Sequence, residues 1–214
     1  MGLHPDIKLD TGLKVERHGS DYGGWNVLAG SVKPDSIIYS FGIGEDISFE
    51  KSVIEKYGTT IYGFDPTPRV SQWLQAQSLP KQFKFLPVGI ADTDGVVDFF
   101  SPENPTHISH SAQPSAIATA KLSLEVKKLS TIVNQLAHSK IDLLKMDIEG
   151  FEYGVIPDVL SSDISITQLM LEFHHGMYGY TNQQTVDAIT QLRNAGYKLF
   201  CISDTGREYS FIKA

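Results

Sequence analysis

The stretch that constrains this chain most is Ser40-Phe41-Gly42-Ile43-Gly44-Glu45-Asp46, a glycine-hinged turn that follows an apolar run and ends in two carboxylates. Glycines at a strand-to-helix turn let bare backbone N–H groups and the positive end of the helix approach a ligand, usually a phosphate. Two acids in the same turn reverse that preference. Glu45 and Asp46 repel a pyrophosphate and suit a ligand that carries an ammonium and a sulfonium.

The flanking pattern places this turn in an α/β fold. Ser36 to Phe41 is a short β-branched run, the mark of a strand buried on both faces of a parallel sheet. Phe49, Val53, Ile54 and Tyr57 then recur at helical spacing, and Gly58 stands where a C-cap glycine belongs. Thr60 to Asp65 reads as a second strand, and Pro66-Thr67-Pro68 opens a short helix carrying Trp73 and Leu74. Asp65 follows Gly44 by about twenty residues, the offset at which a carboxylate meets ribose hydroxyls. Phe83 to Ala91 reads as a third strand, and Asp92-Thr93-Asp94-Gly95 turns into Val96 to Phe100 as its hairpin-like partner. The end of that strand, with Ile90 and Asp92, is expected to border the base of a nucleoside.

Residues 101–120 have no apolar period and read as a long loop of the kind that covers a site. His107 and His110 within it read as solvated surface residues. Leu122 to Val126 is a strand, and Leu129, Ile132, Val133 and Leu136 form a helical stripe. Ile141 to Gly150 is a strand whose C-terminal end gathers Lys145, Asp147 and Glu149 on one face. Such a cluster is costly unless paired or functional; pairing of Lys145 with Asp147 or Glu149 is the plain structural reading. A helix through Glu152 and Val155, interrupted by Pro157, leads to a fifth strand, Gln168 to His175. Thr181 and Gln184 make a capping box, Val186, Ile189 and Leu192 supply a buried stripe, and Gly196 closes that helix. Tyr197 to Ser203 and Glu208 to Lys213 are joined by a tight turn with no room for a crossover, so the last strand runs antiparallel. An antiparallel hairpin closing an otherwise parallel sheet separates a class I methyltransferase from a dinucleotide-binding Rossmann domain.

With 214 residues, 41% of them hydrophobic and 20% charged, the chain suits a single domain over residues 1–214. Residues 1–35 form an N-terminal cap segment, whose Tyr22 to Val27 packs on the core or lines a pocket mouth. A net charge of -7 argues against non-specific nucleic-acid binding. Cys201 is the only cysteine, and neither a leader, a lipidation signal nor a bilayer-length apolar run is evident. A soluble cytoplasmic protein is expected; oligomeric state is left open.

The chain resembles the FkbM family of S-adenosylmethionine-dependent methyltransferases over about residues 20–214. The likeness is carried by Ser40 to Phe49, Gly63-Phe64-Asp65-Pro66-Thr67-Pro68, Ile141 to Glu152 and Leu171-Glu172-Phe173-His174-His175. The resemblance implies a Rossmann-like sheet of about seven strands with helices on both faces, S-adenosylmethionine as cofactor, and O-methylation of a hydroxyl on a sugar or other natural-product small molecule.

In an open parallel sheet the ligand lies beyond the strand ends at the switch point, here between the first and fourth strands. Gly42 and Gly44 then admit the methionine moiety, Glu45 or Asp46 faces its ammonium, and Asp65 holds the ribose in a bidentate contact. Lys145, Asp147, Glu149 and His174 are the catalytic candidates, and the base is one of Asp147, Glu149 and His174. Asp147, Glu149, Glu172 and His174 also form a donor set for a divalent metal, a reading less favoured than a metal-free base. Two other classes remain: a nicotinamide-dependent oxidoreductase, which Asp65 suits but the turn acids and terminal hairpin do not, and a non-catalytic binding domain of the same fold.

Overall fold

The computed structural model describes residues 4–100 and 121–214. The expected lid over 101–120, with His107 and His110, lies outside the described residues. In chain order the elements begin with β1 (Val15–His18), β2 (Trp25–Leu28), β3 (Ile37–Phe41), α1 (Ser48–Tyr57), β4 (Thr60–Phe64) and α2 (Pro68–Gln75). They continue with β5 (Phe83–Leu86), β6 (Gly89–Ile90), β7 (Gly95–Phe100), β8 (Lys121–Lys127), α3 (Leu129–Gln135) and β9 (Lys140–Met146). The last are α4 (Glu152–Ser161), β10 (Ser165–Glu172), α5 (Asn182–Asn194), β11 (Tyr197–Ile202) and β12 (Glu208–Lys213).

Seven of the strands form one sheet in the order β11-β12-β10-β9-β3-β4-β5. The pairs β3–β4, β3–β9, β4–β5 and β9–β10 are parallel, and β12 is antiparallel to both its neighbours. The chain runs outward from β3 through β4 to β5, then returns to build β9 on the other side of β3. That reversal creates the switch point between β3 and β9. Alternating strand residues feed two cores. Ile38, Ile61, Leu143 and Met170 pack with Phe49 and Val53 of α1 and Val70 and Leu74 of α2. Tyr39, Phe64, Leu144 and Leu171 pack on the other face with residues of α3, α4 and α5.

Helix ends follow the expected chemistry. Gly58 caps α1 in the left-handed conformation at φ 70°. Thr181 and Gln184 form the capping box of α5 in full, each side chain meeting the other's backbone N–H.

Four expectations need correction. The run Phe83 to Ala91 is two strands in two sheets: Pro87 lacks the N–H needed to continue a ladder, and β6 beyond it pairs with β8. The expected hairpin of that run with Val96 to Phe100 does not form, because β8 lies between β6 and β7 in a three-stranded sheet. Pro157 does not interrupt α4, which continues to Ser161; Val155, Ile156 and Val159 bury on the core on both sides of it. Finally β9 ends at Met146, so Asp147 to Gly150 form a turn in which Glu149 has φ 54°. No helix among the described residues is long and apolar enough to cross a membrane.

Candidate active site

The glycine turn is pinned between two strand ends. Gly42 has φ 76°, donates its N–H to Phe64 O at 3.0 Å, and lies against the Asp147 carbonyl, while Asp147 N–H donates to Phe41 O at 3.1 Å. Gly44, at φ 57°, donates its N–H to Asp65 Oδ2 at 3.1 Å. Asp65 Oδ1 accepts from the Thr67 N–H at 2.9 Å and the Thr67 hydroxyl at 2.5 Å. Asp65 therefore ties the turn to the start of α2. Its oxygens already hold three hydrogen bonds, so a ribose would meet it chiefly through Oδ2.

The two turn acids are also engaged. Glu45 takes a forked contact from Arg69, Nε to Oε1 at 2.6 Å and Nη2 to Oε2 at 3.1 Å. Asp46 accepts from the Ser20 hydroxyl and the Ser48 N–H, each at 2.7 Å. Burial pushes the Asp46 carboxyl upward, but these hydrogen bonds outweigh it and hold the group below its usual range.

A cavity of about 480 Å³ opens at the switch point. Gly42, Gly44, Glu45, Asp46, Asp65, Lys145, Asp147, Glu149 and Glu172 all line it. Ile90 and Asp92 do not: Ile90 is buried in the core and Asp92 is exposed outside the cavity. Both readings of the N-terminal cap are realised, because Trp25 is buried in the core and also lines the cavity wall beside exposed Tyr22.

Lys145 reaches back to the glycine turn. Its Nζ donates to Gly42 O at 3.0 Å and Phe41 O at 3.4 Å, and stands 5.0 Å from the Trp25 ring centre. His174 is buried, with Nε2 3.3 Å from Glu149 Oε2 and 3.7 Å from Asp147 Oδ1, and Nδ1 3.1 Å from Glu152 Oε1. Glu152 is fixed in turn by the N–H groups of Ile148 and Gly150, each at 2.9 Å. Burial disfavours the His174 cation, yet Glu152 and Glu149 overcome it and raise the imidazole well above its ordinary value. The carboxylates around His174 thus favour its protonated form. His175 faces elsewhere, meeting His4 at 3.0 Å and Thr185 at 3.4 Å.

Asp147 is the carboxyl of this group that is shifted toward neutral pH. Burial, aided by the charge of Glu149 and opposed by Lys145 and His174, pushes its carboxyl up to about 6. Burial and the Asp147 charge push Glu172 up to about 9. The Tyr178 hydroxyl donates to Glu149 Oε2 at 2.6 Å. Among the described residues, one ligand atom each from Asp147, Glu149 and His174 lie within 4.8 Å of one another, a spacing that fits a metal ion; Glu172 stands outside that group.

Sequence reasoning missed Glu50. It sits in the first turn of α1, 2% exposed, with Oε1 accepting the Ser40 hydroxyl at 2.7 Å, and it lines the cavity. The available signal was a carboxylate on the apolar face of α1, between Phe49 and Val53. Thr205, Arg207 and Glu208, from the turn of the terminal hairpin, also line the cavity.

The fold and the sequence both have known relatives. The profile described as Methyltransferase FkbM domain matches residues 36–199. The probable methyltransferase-like protein 24 of Rattus norvegicus is 28% identical over 139 residues, 64% of this chain and 32% of its own length. Its Homo sapiens counterpart is 29% identical over 140 residues with the same coverage. The chain spans about a third of the length of these curated relatives. Among solved structures, the fibrillarin pre-rRNA processing protein of Methanococcus jannaschii superposes with a TM-score of 0.52 at 11% identity, over 85% of this chain and 67% of that one. Fibrillarin of Aeropyrum pernix, solved with natively bound S-adenosyl-L-methionine, gives 0.49 at 12% identity, over 87% and 68%. From the turn, the sheet and the profile together, the chain belongs to the FkbM family of S-adenosylmethionine-dependent methyltransferases.

Proposed function

We propose that this domain moves the methyl group of S-adenosylmethionine to a hydroxyl oxygen of a small molecule, a sugar or another polyhydroxylated natural product. The observation that carries the reading is Asp147, a carboxylate held near neutrality by burial and facing the cavity directly opposite the glycine turn. A hydroxyl needs such a group, because its oxygen becomes a good nucleophile only as its proton leaves.

The step balances simply. The acceptor oxygen forms a bond to the methyl carbon, the carbon–sulfur bond breaks, and its electron pair returns to sulfur, leaving neutral S-adenosylhomocysteine. The hydroxyl proton passes to Asp147 and then to solvent. The imidazolium of His174, 3.7 Å away, favours the ionised form of Asp147 before the transfer. Positioning supplies much of the remaining rate. Nine acidic residues line the cavity against Lys145 and Arg207, which supports a neutral or cationic acceptor over a phosphorylated one.

The test is transfer of radiolabelled methyl from S-adenosylmethionine to a panel of sugars and polyols, with amines and phosphosugars as comparison. Labelled methyl ethers lost in Asp147→Asn are the expected outcome; labelling confined to amines would overturn the hydroxyl reading.

A further inference from the structure

Glu45 and Asp46 were the expected partners of the donor ammonium, and both are already engaged, one by Arg69 and the other by Ser20 and Ser48. Glu50 is different. Its Oε1 is satisfied by Ser40, whereas Oε2 is fully buried, lacks a hydrogen-bond partner among the described residues, and belongs to a side chain on the cavity wall. A buried acceptor left unmet is costly, so such an atom beside a ligand cavity marks a place where a ligand donor fits.

Lys145 stands on the same wall. Two of its three N–H donors go to the carbonyls of Phe41 and Gly42 at the head of the glycine turn. It makes no ion pair with Glu50 within 4.0 Å among the described residues, although the two charges are near enough to influence each other. A cation and an anion held apart on one wall are complementary to a zwitterion.

We propose that Glu50 and Lys145 recognise the α-amino-acid end of the donor, Glu50 Oε2 accepting from its ammonium and Lys145 donating to its carboxylate. This rests on the reading of the cavity as the donor site. Glu45 is then left to the rim, where it holds Arg69, and Asp46 to the entry of α1. The charged groups facing Glu50 are Lys145 of β9, which favours its ionised form, and Asp46 of the turn, which opposes it; burial is the largest influence and pushes the carboxyl up.

The experiment compares two ligands on the whole chain by calorimetry. S-adenosylhomocysteine carries the amino-acid end; methylthioadenosine has the same nucleoside and thioether without it. Glu50→Gln and Lys145→Met are each expected to weaken S-adenosylhomocysteine at least 10-fold and leave methylthioadenosine within 2-fold, so the second ligand also reports that the variant is folded. Glu45→Gln is expected to change neither by more than 3-fold. Equal weakening of both ligands by Glu50→Gln would assign Glu50 a structural role and overturn the proposal. Should Glu50→Gln fail to fold, Lys145→Met decides by the same comparison. If the parent binds neither ligand, it is the donor-site reading itself that fails.

Discussion

A β-carbon built on Gly42 falls 1.7 Å from the carbonyl oxygen of Asp147. The first glycine of the turn is thus the point where β3 and β9 close on each other, and it brings the glycine turn and Asp147 within one cavity. Gly42→Ala must move the β9 end or distort a left-handed backbone, and both are costly. A loss of about 2–5 kcal/mol in urea-induced unfolding is expected, with donor binding undetectable. A variant as stable as the parent would show that the two strand ends are not in contact.

Asp147→Asn separates activity from stability. Removing the proposed base is expected to cost about 10²–10⁴ in kcat. In the parent, kcat/KM should fall as pH drops through about 6, and the residual activity of the variant should lack that step. Stability moves the other way. Between 3.8 and about 6 the folded carboxyl holds a proton that the unfolded one has lost, so Asp147 makes the protein less stable as pH rises across that window. Asp147→Asn should therefore melt higher than the parent at pH 8, with the gap closing near pH 4.

Asp65→Ala leaves the Gly44 and Thr67 N–H groups without their acceptor. Donor affinity is expected to fall at least 10-fold and stability by about 1–3 kcal/mol. Asp65→Asn should recover part of the stability, since the amide oxygen still accepts from one side, but less of the affinity. Thermal melts and calorimetry on the same samples check both.

Much of this was legible in the chain because it is local. Strands buried on both faces announce themselves as apolar runs, so β3, β4, β9 and β10 were evident. The capping box at Thr181 and the short link between β11 and β12 are fixed within a few residues. What failed was long-range. Nothing in Phe83 to Ala91 says that β8, arriving thirty residues later, takes the place beside β6; Pro87 was the one local hint of the break. The Arg69 fork on Glu45 and the Glu152 contact to His174 each depend on a partner brought over by the fold. Glu50 was hidden because one carboxylate on an apolar stripe reads as a solvated edge.

Thr181→Ala tests the fold away from the site. The Thr181 hydroxyl accepts the Gln184 N–H at 3.3 Å, and Gln184 Oε1 accepts the Thr181 N–H at 2.8 Å. Loss of this cap is expected to cost about 1 kcal/mol in unfolding and to leave donor affinity unchanged.

Chelation addresses the metal alternative. His174 lies between Glu149 and Glu152, whose charges favour its protonated form and so oppose an ion at Nε2. Turnover in excess chelator should match turnover with added magnesium or manganese; a 10-fold or greater rise on adding metal would make Asp147, Glu149 and His174 ligands instead.

The most direct measurement is a calorimetric titration of the chain with S-adenosylmethionine. Saturable binding at one site per chain, at least 10-fold weaker in Asp65→Ala, is the expected result. Absence of binding to the parent, with a nicotinamide cofactor raising its melting temperature instead, would contradict it.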